Sequence, residues 1–275
     1  MFDLFNSYNH NNVDDRIAQL SFDTQLVDEF LMMTDRYVQL SYWDVSKNIY
    51  YSILFVIPML FIYELMCWFQ FYKSEFQIRN GADVFIRQLF LAFGHNAELV
   101  YALSLLFIFL IIIFYNREVI DKSRLKISLL SFMFLESFIW GALFVVMMGL
   151  SEKLLLSIMQ RNILPEQFYL SIGAGIWEEL LFRVGMLGLI IYLLKHILGY
   201  NFLFSAFTAI IFSSFLFSFF HYIGDLGDIF TFRSFYLRTF SGIFLGSLYI
   251  FRGFGITAYT HIFYDMTIIS IPVLM

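Results

Sequence analysis

Seven runs of about twenty apolar residues constrain this 275-residue chain more than anything else in it. They lie near positions 49–72, 97–115, 127–150, 168–195, 201–223, 235–251 and 254–274. In hydrocarbon every backbone N–H and C=O must find a partner inside the protein, and a helix satisfies that within one segment. The expected fold is therefore all-α, a polytopic transmembrane helical bundle of about seven to eight spans. The eighth is the stretch 74–96, with Asn80-Gly81-Ala82-Asp83 at its centre, which reads as interfacial or re-entrant. Charged residues make up only 14% of the chain, against about 25% in soluble domains, which rules out an ordinary globular protein.

The net charge of −5 argues against nucleic acid as a partner. The single cysteine, Cys67, excludes an internal disulfide and a cysteine-cluster metal site, and its apolar setting suits a packed thiol. Residues 1–48 form a polar, acidic lead segment. Ile17, Leu20, Leu26, Val27, Phe30 and Leu31 recur there at helical spacing, as in an amphipathic helix at a membrane surface. Met1 to Asp15 lack a basic start followed by an apolar core, so insertion is expected to rely on the first span. Arg117, Lys122, Arg124 and Lys126 make the densest basic loop and place it, with the amino terminus, on the cytoplasmic side. Lys73, Arg79 and Arg87 on the other side weaken that assignment.

Ionisable groups at membrane depth are costly and by default point to function. The last third of the chain holds a series of them. In Glu178-Glu179-Leu180-Leu181-Phe182-Arg183, Glu179 and Arg183 are four residues apart and can pair along one helical face. That pairing leaves Glu178 the freer carboxylate, with Ala174 and Gly175 giving room for a water or a substrate backbone. A buried Glu–Arg clamp locking two helices is the bland alternative. Phe217 precedes His221 by one turn, and Asp225 follows His221 by four residues, either orienting its ring or serving as a loop acid beside Asp228. His261 and Asp265 share a face of the last span. Gly242 and Gly246 form a small-xxx-small pattern that permits close helix contact. Carboxylates and imidazoles together can activate water, with or without a metal.

In this order the three motifs resemble those of the CPBP family, the CAAX-processing and bacteriocin-processing intramembrane proteases also called Abi proteins. That pattern is Glu-Glu-x-x-x-Arg, Phe-x-x-x-His and His-x-x-x-Asn or Asp, here Glu178-Glu179 to Arg183, Phe217 to His221 and His261 to Asp265. The similarity runs from near Phe168 to Ile269, within a catalytic helical core at 161–275 preceded by transmembrane helices at 49–160. It implies an integral multi-pass protein of an inner or plasma membrane, hydrolysing peptide bonds of membrane protein or peptide substrates amid lipid. It further implies that Glu178 and His221 activate water, that Glu179 and Arg183 support them, and that His261 and Asp265 stabilise the oxyanion or complete a metal site. Glu178, His221, His261 and Asp265 are then the candidate zinc ligands, with a metal-free glutamate mechanism equally open. Asp265 is a poorer oxyanion donor than Asn, which favours a metal or a role in orienting His261. A proton-coupled transporter or channel would use the same groups as a relay but calls for inverted repeats, which the chain lacks. A non-catalytic scaffold or immunity-type protein is the other rival.

Outside the motifs, Glu64 and Glu136 are expected to make helix–helix hydrogen bonds. His95 and His196 are expected at the interface, and Trp68, Trp140 and Trp177 in packing or interfacial positions.

Overall fold

The computed structural model describes residues 41–74, 78–117, 127–149, 166–224 and 227–274. The lead segment before 41, most of the basic loop and Asp225 lie outside the described residues. The described residues form nine helices and no strand. They are α1 (Tyr42–Lys47), α2 (Ile49–Ser74), α3 (Gly81–Gln88), α4 (Ala97–Tyr115), α5 (Ile127–Gly149), α6 (Glu166–Ile197), α7 (Phe202–Phe220), α8 (Phe232–Arg252) and α9 (Phe254–Leu274).

By length and composition five helical stretches can cross a membrane: Ile49–Tyr72, Leu91–Tyr115, Ser128–Gly149, Glu166–Ile197 and Phe202–Phe220. The other two expected spans, α8 and α9, have 21 residues each. That is about 30 Å of helix, enough for a bilayer core. Both carry polar groups along their length, Arg233, Arg238 and Arg252 on α8 and His261 and Asp265 on α9, and so fall short on apolarity. The stretch around 74–96 holds a short helix, α3, and a 3-10 turn at Leu91–Asn96 rather than a full span.

α9 is the axis of the bundle. Phe254, Ile256, Ala258, Tyr259, His261 and Ile262 are all buried on it, around most of its circumference. It packs against α2, α5, α6 and α8. By contrast α4 turns Leu99, Phe107, Leu110 and Phe114 outward, a surface suited to lipid. Cys67 is buried with Tyr63, Tyr169 and Ile176, in keeping with a packed thiol.

Two close approaches depend on missing side chains. Gly242 on α8 lies against Ser214 on α7, where an added Cβ would come 2.8 Å from the Ser214 Cβ. The small-xxx-small pattern thus joins α8 to the helix that ends at His221. Between α8 and α9, Gly253 takes φ +79° with its Cα side pressed on the Lys47 carbonyl, a conformation and a space only glycine accepts.

Glu136 and Glu64 both work as structural clamps. Arg252 Nη2 donates to Glu136 Oε2 at 2.7 Å and to Ser46 Oγ at 2.9 Å, with its guanidinium 3.9 Å from the Trp43 ring centroid. This clamp ties α1, α5 and α8 together. Glu64 on α2 receives Arg79 at 2.9 Å and Arg87 at 3.0 Å, and both arginines also bind the fully buried Asp83. Burial works against charge on Arg79 and Arg87. Donation from Arg79 to Glu64 and Asp83, and the charge of Asp83 beside Arg87 together with the bond it accepts, outweigh it and hold both guanidinium groups above their ordinary range.

Candidate active site

α6 departs from regular α-helix where its carboxylates lie. Ala174–Glu178 and Leu180–Leu187 are π-helical turns, with α-helical residues before and after. A π turn admits an extra residue and rotates the side chains that follow, and such turns concentrate at functional sites. Glu178 and Glu179 consequently address different neighbours, and both are buried.

Glu179 is the hub. Its Oε1 lies 2.7 Å from His261 Nδ1, across to α9. Its Oε2 lies 3.0 Å from Arg183 Nε, close enough for an ion pair though poorly angled for a hydrogen bond. All three side chains are nearly or fully buried. The Arg183 Nη1 and Nη2 atoms have no hydrogen-bond partner among the described residues. Its guanidinium instead stacks 4.5 Å from the Phe217 ring centroid, a cation–π contact. Phe217 also meets the rings of Phe182 at 5.3 Å, His221 at 5.0 Å and His261 at 6.3 Å. Residues from all three motifs therefore meet around one phenyl ring.

His221 closes α7. Its Nδ1 lies 2.9 Å from the Phe217 carbonyl, one turn back. A carbonyl only accepts, so Nδ1 carries the hydrogen and the neutral ring keeps its lone pair on Nε2. The ring is thus oriented by its own helix, while Asp225 lies outside the described residues. On α9, His261 Nε2 is 3.7 Å from Asp265 Oδ2, the one-turn relation expected from their spacing.

Glu178 makes a contact the sequence reading missed. Asn80 Nδ2, at the start of α3, donates to Glu178 Oε1 at 2.8 Å. The only local signal was Asn80 before Gly-Ala-Asp, which reads as a helix cap and carries no hint of a partner 98 positions away. Gly175 also differs from expectation. An added Cβ there would stand 2.6 Å from the Ala258 carbonyl and 2.4 Å from Ile262 Cγ1. The space is filled by α9 rather than left for water or substrate.

Residues 160–267 match the family described as type II CAAX prenyl endopeptidase Rce1-like. This segment is an Rce1-like domain. It takes in all seven motif residues, from Glu178 to Asp265, and ends within α9. An Rce1-like domain set in long apolar helices identifies an intramembrane endopeptidase in general terms, in line with the resemblance of the motifs. Asn80, α2 and α3 lie outside the Rce1-like segment. Compared with curated proteins and with solved structures, the chain gives no match.

Among the described residues no three His, Cys, Asp or Glu side chains converge as an ion-holding group. As placed, Glu178, His221, His261 and Asp265 do not assemble a zinc set.

Proposed function

We propose that the chain is an intramembrane endopeptidase that cleaves prenylated, CAAX-type peptide segments by acid–base activation of water at Glu178 and His221. The convergence of three motifs from α6, α7 and α9 around Phe217 carries this reading. In it Glu178 accepts a proton as the water oxygen bonds to the scissile carbonyl carbon. The lone pair on His221 Nε2 holds the second hydrogen of that water in line. His261, donating from Nδ1 to Glu179, is protonated at Nε2 as well and donates that hydrogen to the oxygen on which negative charge develops. Collapse of the tetrahedral intermediate breaks the C–N bond, and the proton held by Glu178 passes to the leaving nitrogen. Arg183 neutralises Glu179 so that His261 is held by a buried anion without a second unbalanced charge.

The prenyl-CAAX substrate class is taken by analogy with the type II CAAX prenyl endopeptidases of the matched family. The test is turnover of a quenched fluorescent farnesylated CAAX peptide by the purified full chain in nanodiscs. Cleavage by wild type, with loss of at least about 100-fold in both Glu178→Gln and His221→Ala at unchanged melting temperature, supports the reading. Undiminished turnover by Glu178→Gln rejects it.

A further inference from the structure

Asn80 stands outside the Rce1-like segment, yet its side chain ends on the carboxylate assigned to water activation. Every atom that fixes it is accounted for. Oδ1 accepts from the Ala82 backbone N–H at 2.9 Å, capping α3. Because that oxygen is taken, the amide can present only Nδ2 to Glu178. The Asn80 backbone N–H donates to Tyr63 Oη at 3.0 Å, and Tyr63 Oη donates to Asp83 Oδ2 at the same distance. Asp83 is in turn locked by Arg79 and Arg87. Gly173 lets this corner press against α6: a Cβ there would lie 2.5 Å from the Tyr63 ring and 3.1 Å from the Asn80 Cβ.

A cap on an eight-residue helix does not require such a scaffold. A buttress of two arginines, a buried aspartate and a buried tyrosine holds one amide in one orientation, and among the described residues that amide donates to one side chain, Glu178. We infer that Asn80 is a positioning residue of the active site, supplied by the amino-terminal half, that holds the Glu178 carboxylate in its working orientation. The inference rests on the hydrolytic reading of Glu178. It assigns to α2 and α3 a role in the reaction beyond packing. A hydrogen bond to an ionised carboxylate is short and strong, so its loss frees the carboxylate to rotate away from the water it must meet.

Serine caps helices as well as asparagine does but is too short to reach Glu178, so Asn80→Ser separates the two roles. Aspartate also caps but sets one carboxylate against another. On the farnesylated peptide, Asn80→Ser is expected to lower kcat about 10–100-fold with KM little changed, up to the cost of misplacing a reacting group by about 1 Å. Asn80→Asp should lose more. Tyr63→Phe, one bond further out, should lose less. Melting temperatures of the full chain, measured without substrate, give a second readout through a cycle of Asn80→Ser, Glu178→Leu and the double variant. Non-additive shifts show the contact, and additive shifts overturn the inference. A folded Asn80→Ser whose kcat stays within about twofold of wild type also overturns it, because only a capping role would remain. Should wild type leave the peptide intact, the hydrolytic reading falls by itself, while the thermal cycle still decides whether Asn80 holds Glu178.

Discussion

Glu179 and His261, 82 positions apart, share a buried 2.7 Å hydrogen bond that joins the first motif helix to the last. The same carboxylate faces Arg183 through its other oxygen. One anion thus balances a guanidinium and fixes an imidazole, in a place where none of the three is more than slightly exposed.

Glu179→Gln removes that anion and leaves Arg183 charged and buried. Taking one partner from a buried ion pair costs about 3–5 kcal/mol. The expected outcome is a large drop in melting temperature together with loss of peptide cleavage. A variant as stable as wild type would show that Arg183 is balanced elsewhere.

Gly175 and Gly185 lie on the same helix and should respond oppositely to alanine. At Gly175 the new methyl would meet Ala258 and Ile262 of α9 well inside contact distance, and over-packing of this kind costs about 1–3 kcal/mol. At Gly185 the nearest atom is the Leu180 carbonyl at 3.4 Å and the site is exposed, so alanine should stabilise by about 0.5–1 kcal/mol. Paired thermal melts decide the point, and equal shifts of one sign would contradict the α6–α9 contact.

Arg252 ties α8 to α1 and α5. Arg252→Lys keeps the charge but loses the two-pronged grip on Glu136 and the stacking over Trp43. Stability should fall by about 1–3 kcal/mol, the worth of a hydrogen bond to a charged group. Turnover assayed well below the melting point should match wild type. A selective fall in kcat would bring this clamp into the catalytic account.

Metal dependence can be settled with the purified chain. Acid–base work by Glu178 and His221 without a bound ion predicts that turnover withstands prolonged treatment with tight zinc chelators. Loss of activity that returns on adding zinc would replace that mechanism with a metal-assisted one.

Relations one helical turn long were legible before any fold was known. Glu179 with Arg183, Phe217 with His221 and His261 with Asp265 all follow from the rise and rotation of a helix, and the structure keeps each pair adjacent. The structural reading of Glu64 and Glu136 rests on the absence of a motif around either, and that of Cys67 on its apolar run. What joins one helix to another was not legible. The π turns of α6 shift its phase by amounts that no periodicity in the sequence records. The space beside Gly175 reads equally well as a cavity or a helix crossing until the position of α9 is known.

The sequence by itself determined the helical membrane bundle and the one-turn pairings within its motifs, because apolar length and i, i+4 spacing are local properties of the chain. Only the tertiary structure decided that Glu179 holds His261, that Asn80 reaches Glu178, and that Gly175 is filled by a neighbouring helix. Those pairings depend on crossing angles and on rotation about each helix axis, which are set by packing among distant segments and leave no mark on spacing within any one of them.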